Sequence, residues 1–100
     1  MPKISLSVPH SLEQDVALEK VRGLLDSVKA EHGDRISGLQ EEWQGNTGKF
    51  SFSIMGFPVS GSLVVESSQV NMDGKIPLMA MPFKDKVKNI IMEQAQRILA

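Results

Sequence analysis

The chain contains no cysteine. That excludes disulfide staples and thiolate chemistry, and it fits a reducing, cytoplasmic setting. A strong charge of either sign is also missing: the formal net charge is −1 at pH 7. A general nucleic-acid binder would need a basic footprint, so that class is not expected. No apolar run approaches the roughly 20 residues that span a bilayer. No apolar leader precedes the alternation that starts at Met1-Pro2-Lys3-Ile4, so a signal peptide is not expected either. Metal-ligand spacings such as His-x-x-x-His, the Gly-x-Ser-x-Gly nucleophile elbow and phosphate-binding glycine loops are all absent. The two histidines, His10 and His32, fall at a strand–helix junction and near a helix end, where structural roles are common. The expectation is a protein with no catalytic site, no cofactor and no metal, folded as one domain over residues 1–100.

What is present is clear periodicity. Ile4, Leu6 and Val8 alternate with polar residues, as in a half-buried strand. Ser11-Leu12-Glu13-Gln14 reads as a capping box that opens a helix over about 12–32, with Gly33 free to cap its end in the left-handed conformation. Val16, Ala17, Val21, Leu24, Leu25 and Val28 form its apolar stripe. The period then changes to two. Leu39, Glu41 and Trp43 share one face, a turn follows at Gly45–Gly48, and Phe50, Phe52 and Ile54 alternate. After a second turn at Met55–Pro58 come Val59, Gly61, Leu63 and Val65, then a turn at Glu66–Gln69, then Val70 and Met72. Val87, Ile90, Ile91, Ala95, Ile98 and Leu99 mark a second amphipathic helix.

The predicted order is β-α-β-β-β-β-α, an α+β fold with an antiparallel sheet and two helices on one face. One segment fits neither period: Ile76-Pro77-Leu78-Met79-Ala80-Met81-Pro82-Phe83, apolar where a loop is normally polar. In a meander, alternate turns share an end of the sheet. The Met55–Pro58 turn and this segment therefore meet at one end, which predicts a hydrophobic rim of Met55, Phe57, Leu78, Met79, Met81 and Phe83. Met72 is a weaker addition. Methionine suits such a surface because it adapts to irregular apolar partners.

Charge is distributed unevenly. Glu13 to Glu42 holds eight acids and four bases, whereas Lys75 to the end holds five bases and two acids. Lys84, Lys86 and Lys88 fall in the first turns of the last helix, where cations oppose the helix dipole, and they flank the apolar run. Glu41 shares a face with Trp43, so it is a buried carboxylate, or a bulge intervenes, or the tryptophan face is exposed.

Trp43-Gln44-Gly45-Asn46-Thr47-Gly48, Phe50-Ser51-Phe52 with Gly56, Val59-Ser60-Gly61, Ala80-Met81-Pro82-Phe83-Lys84 and the opening Ile-x-Leu-x-Val-x-His-Ser-Leu resemble the polyhydroxyalkanoic acid system family over nearly the whole chain. Members are small bacterial proteins encoded beside genes for polyester storage granules, some linked to granule surfaces. The family has no established catalytic residues, so the resemblance implies a setting rather than a mechanism. The order of elements also looks like a minimal helix-grip fold, whose larger relatives hold apolar ligands between sheet and last helix. The expectation is a non-enzymatic interaction protein of the polyhydroxyalkanoate system, located in the cytoplasm at the granule surface. It would engage an apolar surface or a granule-associated protein through the rim, with Lys84, Lys86 and Lys88 at its edge. Two alternatives stay open: a small carrier of an apolar or acyl ligand, and a homo-oligomer that pairs its rims.

Overall fold

The computed structural model describes residues 3–100. β1 (Lys3–Pro9) is followed by two helical segments, α1 (Gln14–Arg22) and α2 (Leu24–Glu31). Four strands come next: β2 (Ile36–Gln44), β3 (Thr47–Ile54), β4 (Phe57–Val65) and β5 (Gln69–Lys75). A 3-10 helix (Leu78–Phe83) leads into α3 (Lys84–Leu99). The strands form one sheet in the order β1-β5-β4-β3-β2, every neighbouring pair antiparallel. The α+β order read from the periodicity is the order of the fold. The meander is closed by β1, which pairs with β5.

Alternation decides what each strand buries. Leu6 and Leu63 lie opposite Met72, and Val8 and Val65 opposite Val70, so successive rows of side chains cross the sheet on one face. α1 and α2 cover that face with Ala17, Val21, Leu24, Leu25 and Val28, and α3 covers it with Val87, Ile91, Ala95 and Leu99. These residues form a single core with Phe50, Phe52 and Ile54 of β3. Burial on this scale is the main favourable contribution to folding, at about 25 cal/mol per Å2 of apolar surface. The other face is polar. Ser5 donates to the Asp73 carboxylate at 2.8 Å and Ser7 to the Asn71 side-chain oxygen at 2.6 Å, both exposed to solvent.

The first helix departs from expectation in three places. It is not continuous over 12–32. Gly23, with φ −93° and ψ 0°, ends α1 and starts α2. The amide of Gly23 donates to Lys20 O, and its carbonyl accepts from Ser27 N–H. Both segments keep their apolar residues buried against the sheet. The capping box at Ser11 does not form either: α1 starts at Gln14, with no side-chain cap. The Gln14 amide reaches across to the Val65 carbonyl at 2.9 Å instead, so a tertiary contact displaces the local one. Finally, Gly33 is not among the positive-φ glycines, which are Gly38, Gly45 and Gly56.

Close backbone approach, rather than turn geometry, accounts for Gly61. It pairs with Gly74 across β4 and β5, and a Cβ at 61 would fall on the Asp73 carbonyl oxygen. At Gly74 an added Cβ would meet nothing nearer than 3.5 Å. Gly61→Ala is therefore expected to cost at least about 2 kcal/mol, as overpacking against backbone does. Gly74→Ala should be close to neutral. Urea-unfolding midpoints of the two variants test this, and equal shifts would contradict it.

Candidate functional site

The rim is built by a turn and a short helix at one end of the sheet. Ile54 and Phe57 pair across a two-residue loop, Met55-Gly56, with φ of 51° and 83°. Both angles lie in the left-handed region, as the twist of a tight hairpin requires. The Met55 amide donates to Arg35 O at 2.8 Å, which ties the α2–β2 loop to the same end. From β5 the chain passes through buried Ile76 into the 3-10 helix.

A 3-10 helix has three residues per turn, so positions three apart share a row. The row containing Ala80 and Phe83 turns inward: Ala80 is buried, and the Phe83 ring lies 5.6 Å from that of Phe57. Every remaining position is also apolar, yet a three-row helix can direct only one row at the core. The others face solvent. Leu78 is 76% exposed, Met79 82% and Met81 40%, and Phe83, at the end of the inward row, still leaves 42% of its surface open. Met55 and Phe57 are half-buried and pack against the core, so they support the patch more than they present it. Lys86 is exposed, while Lys84 and Lys88 are half-buried beside the patch. Met72 does not belong there. It is buried at mid-sheet, opposite Leu6 and Leu63, because its position in β5 faces the helices.

Other candidates separate in space. His10 is buried; its Nδ1 accepts from Leu12 N–H at 3.1 Å, and its Nε2 lies 3.0 Å from the Glu66 carbonyl. A neutral ring protonated on Nε2 satisfies both contacts, pinning the β1–α1 junction to the β4–β5 turn. His32 follows α2, at the end of the sheet where β2 begins, so the histidines stand at opposite ends. Glu41 pairs with Phe50 and Trp43 with Gly48. A bulge between Ser37 and Gln40 precedes them, with Gly38 at φ 65°, and both residues stay on the helix side. The indole lies across Gly48, where an added Cβ would come within 2.9 Å of the ring. The Arg22 guanidinium sits 5.8 Å from the ring centroid. Glu41 itself is exposed. Its pKa is raised from 4.5, first by partial desolvation and then by the charge of Asp26. Among the described residues no group of three or more His, Asp or Glu side chains could hold a metal ion, and no helix is long and apolar enough to cross a membrane.

Taken together, these features define a small α+β domain with a helix-covered antiparallel sheet and an exposed apolar patch at one sheet end. Residues 4–99 match the family of polyhydroxyalkanoic acid system proteins, and the chain belongs to that family. No curated protein matches it in sequence. Among solved structures it is similar to TTHA0849 from Thermus thermophilus, at 10% identity and a TM-score of 0.42, covering 98% of this chain and 92% of that one. A likeness at that level carries no functional argument.

Two outcomes follow from the polar residues. A carboxyl with a raised folded pKa is protonated more readily in the fold than in the unfolded chain. Its ionised form therefore weighs against folding above pH 4.5, and that cost disappears below it. Glu41→Gln should stabilise the protein slightly at pH 7, the effect being small because solvent screens an exposed group, and the gain should vanish near pH 4. Thermal melts at the two pH values measure this. His10→Ala strands the Leu12 amide and is expected to cost about 1–3 kcal/mol by denaturant titration.

Proposed function

We propose that the protein is a non-enzymatic interaction module of the polyhydroxyalkanoate system that adsorbs, in the cytoplasm, to an apolar surface of the storage granule. The observation that carries this reading is the contiguous exposure of Leu78, Met79, Met81 and Phe83 on a short helix anchored by Ile76 and Ala80. A small monomer seldom presents its most exposed large apolar residues together unless they meet a partner. Covering a few hundred Å2 of such surface yields several kcal/mol at about 25 cal/mol per Å2, before association costs, which suits reversible adsorption. Family membership supports the granule setting.

A ligand carrier receives less support. Phe50, Phe52, Ile54, Leu63 and Ile91 are all buried in one core between sheet and α3, where a carried ligand would have to sit.

The triple variant Leu78→Asp, Met79→Ser, Met81→Ser changes only exposed side chains and should leave the circular dichroism spectrum unchanged. It is expected to co-sediment with purified granules at least tenfold less than the parent chain. Undiminished co-sedimentation of the folded variant would overturn the reading. Light scattering on both proteins separates adsorption from self-pairing: a dimer that the variant dissolves would assign the patch to a second copy of the chain.

A further inference from the structure

The register of the sheet brings bases to the end that carries the apolar patch, a grouping that is not apparent in the order of residues. Lys3 opens β1 and lies directly opposite Lys75, the last residue of β5. Both therefore stand at the end where the chain enters the 3-10 helix, on the outer face of the sheet. Arg35 is held there by its carbonyl contact with Met55. Lys84, Lys86 and Lys88 follow within the first turns of α3, spanning about 6 Å at 1.5 Å per residue. Asp34 adjoins Arg35 in sequence, and Asp85 lies between Lys84 and Lys86. Asp73, one row further in on the outer face of the sheet, is hydrogen-bonded to Ser5. The opposite end carries Glu13, Asp15 and Glu66, close to His10 and the β4–β5 turn.

These bases have no ion-pair partner within the described residues. The only ion pair among the described residues joins Arg97 to Glu31, so none of the six bases has an acid partner there. Like charges directly opposed across a strand pair, as Lys3 and Lys75 are, disfavour the pairing, and cations at a helix start oppose the dipole. An external anionic surface relieves both costs.

We propose that this end of the sheet docks on an anionic lipid surface, with the 3-10 helix at the acyl boundary and the six bases at the level of the head groups. This rests on the reading of the patch as an adsorbing surface and specifies what that surface must carry. The arrangement is that of an interfacial element: a short apolar insertion of a few side chains flanked by lysines whose stems can lie along apolar material. Lys84 and Lys88, half-buried beside the patch, are placed to extend in this way. Insertion by Leu78, Met79 and Met81 alone is shallow, so the attraction to negative head groups contributes a substantial part of the affinity.

Flotation of the whole chain with vesicles of phosphatidylcholine alone, and with 30% phosphatidylglycerol, tests the proposal. Binding is expected to be at least tenfold stronger to the anionic vesicles and to fall steeply between 0.1 and 0.5 M salt. Each basic residue near such a surface contributes about fivefold, so Lys84→Gln, Lys86→Gln, Lys88→Gln should weaken binding on the order of a hundredfold. A second variant, Lys3→Gln, Lys75→Gln, touches a different element and should weaken it about twentyfold. Equal binding to both vesicle types, or none to the anionic ones, would overturn the proposal. Retention on lipid-free polyester particles together with no binding to anionic vesicles would also overturn it, yet leave the proposed function standing. The proposed function fails separately, through the granule experiment on the Leu78, Met79 and Met81 variant.

Discussion

The structure depends on covering one face of a five-stranded sheet with very little chain. Phe50, Phe52, Ile54, Leu63, Val65 and Val70 all project toward the helices, and leaving them in water would forfeit most of the driving force for folding. α1, α2 and α3 bury the middle of that face. The end where β5 stops still has to be closed, and the segment from Ile76 to Phe83 closes it with Ile76 and Ala80. The requirement to close the core and the exposure of the patch are thus one fact. A three-row helix that is apolar on every row plugs the core with one row and presents the rest to solvent.

Close approach between backbones shapes the same sheet. The Gly61–Gly74 pair lets β4 and β5 come together where a side chain at 61 could not be placed, and Gly48 leaves room for the Trp43 indole on the neighbouring strand. On the helix side, Gly23 breaks the first helix into two segments. His10 and Gln14 then fasten the start of the helical layer to the β4–β5 end through the carbonyls of Glu66 and Val65. Both are polar side chains acting as cross-links between elements.

Much of this was legible in the residues. Strict alternation in Ile4-to-Val8 and Phe50-to-Ile54 identified strands because a two-residue period has no other stable outcome beside a core. Glycine-containing turns marked two of the three hairpins, and tracing a meander through all three brought Phe57 and Phe83 to the same end. Local signals failed where a distant partner outcompeted a near one. Gln14 bonds Val65 rather than completing a box with Ser11. Gly33 keeps an ordinary φ, and Met72 is core rather than rim because its pairing with Leu6 and Leu63 sets its face. Glu41 stayed ambiguous in the sequence. Its exposure depends on how far α2 extends over β2, which no periodicity encodes.

By itself, the sequence determined the strands, the helical regions, their order and the presence of one apolar run that fits neither the strand nor the α-helix period. These follow from period, turn chemistry and composition, all of which are local. Only the tertiary structure decided which members of that run are plugs and which are surface, because that depends on which helix row meets the core. The placement of Lys3, Arg35 and Lys75 at the end of the sheet that carries the patch was likewise decided there. The pairing of β1 with β5 sets Lys3 beside Lys75, and the tie to Met55 brings Arg35 to the same end of the sheet.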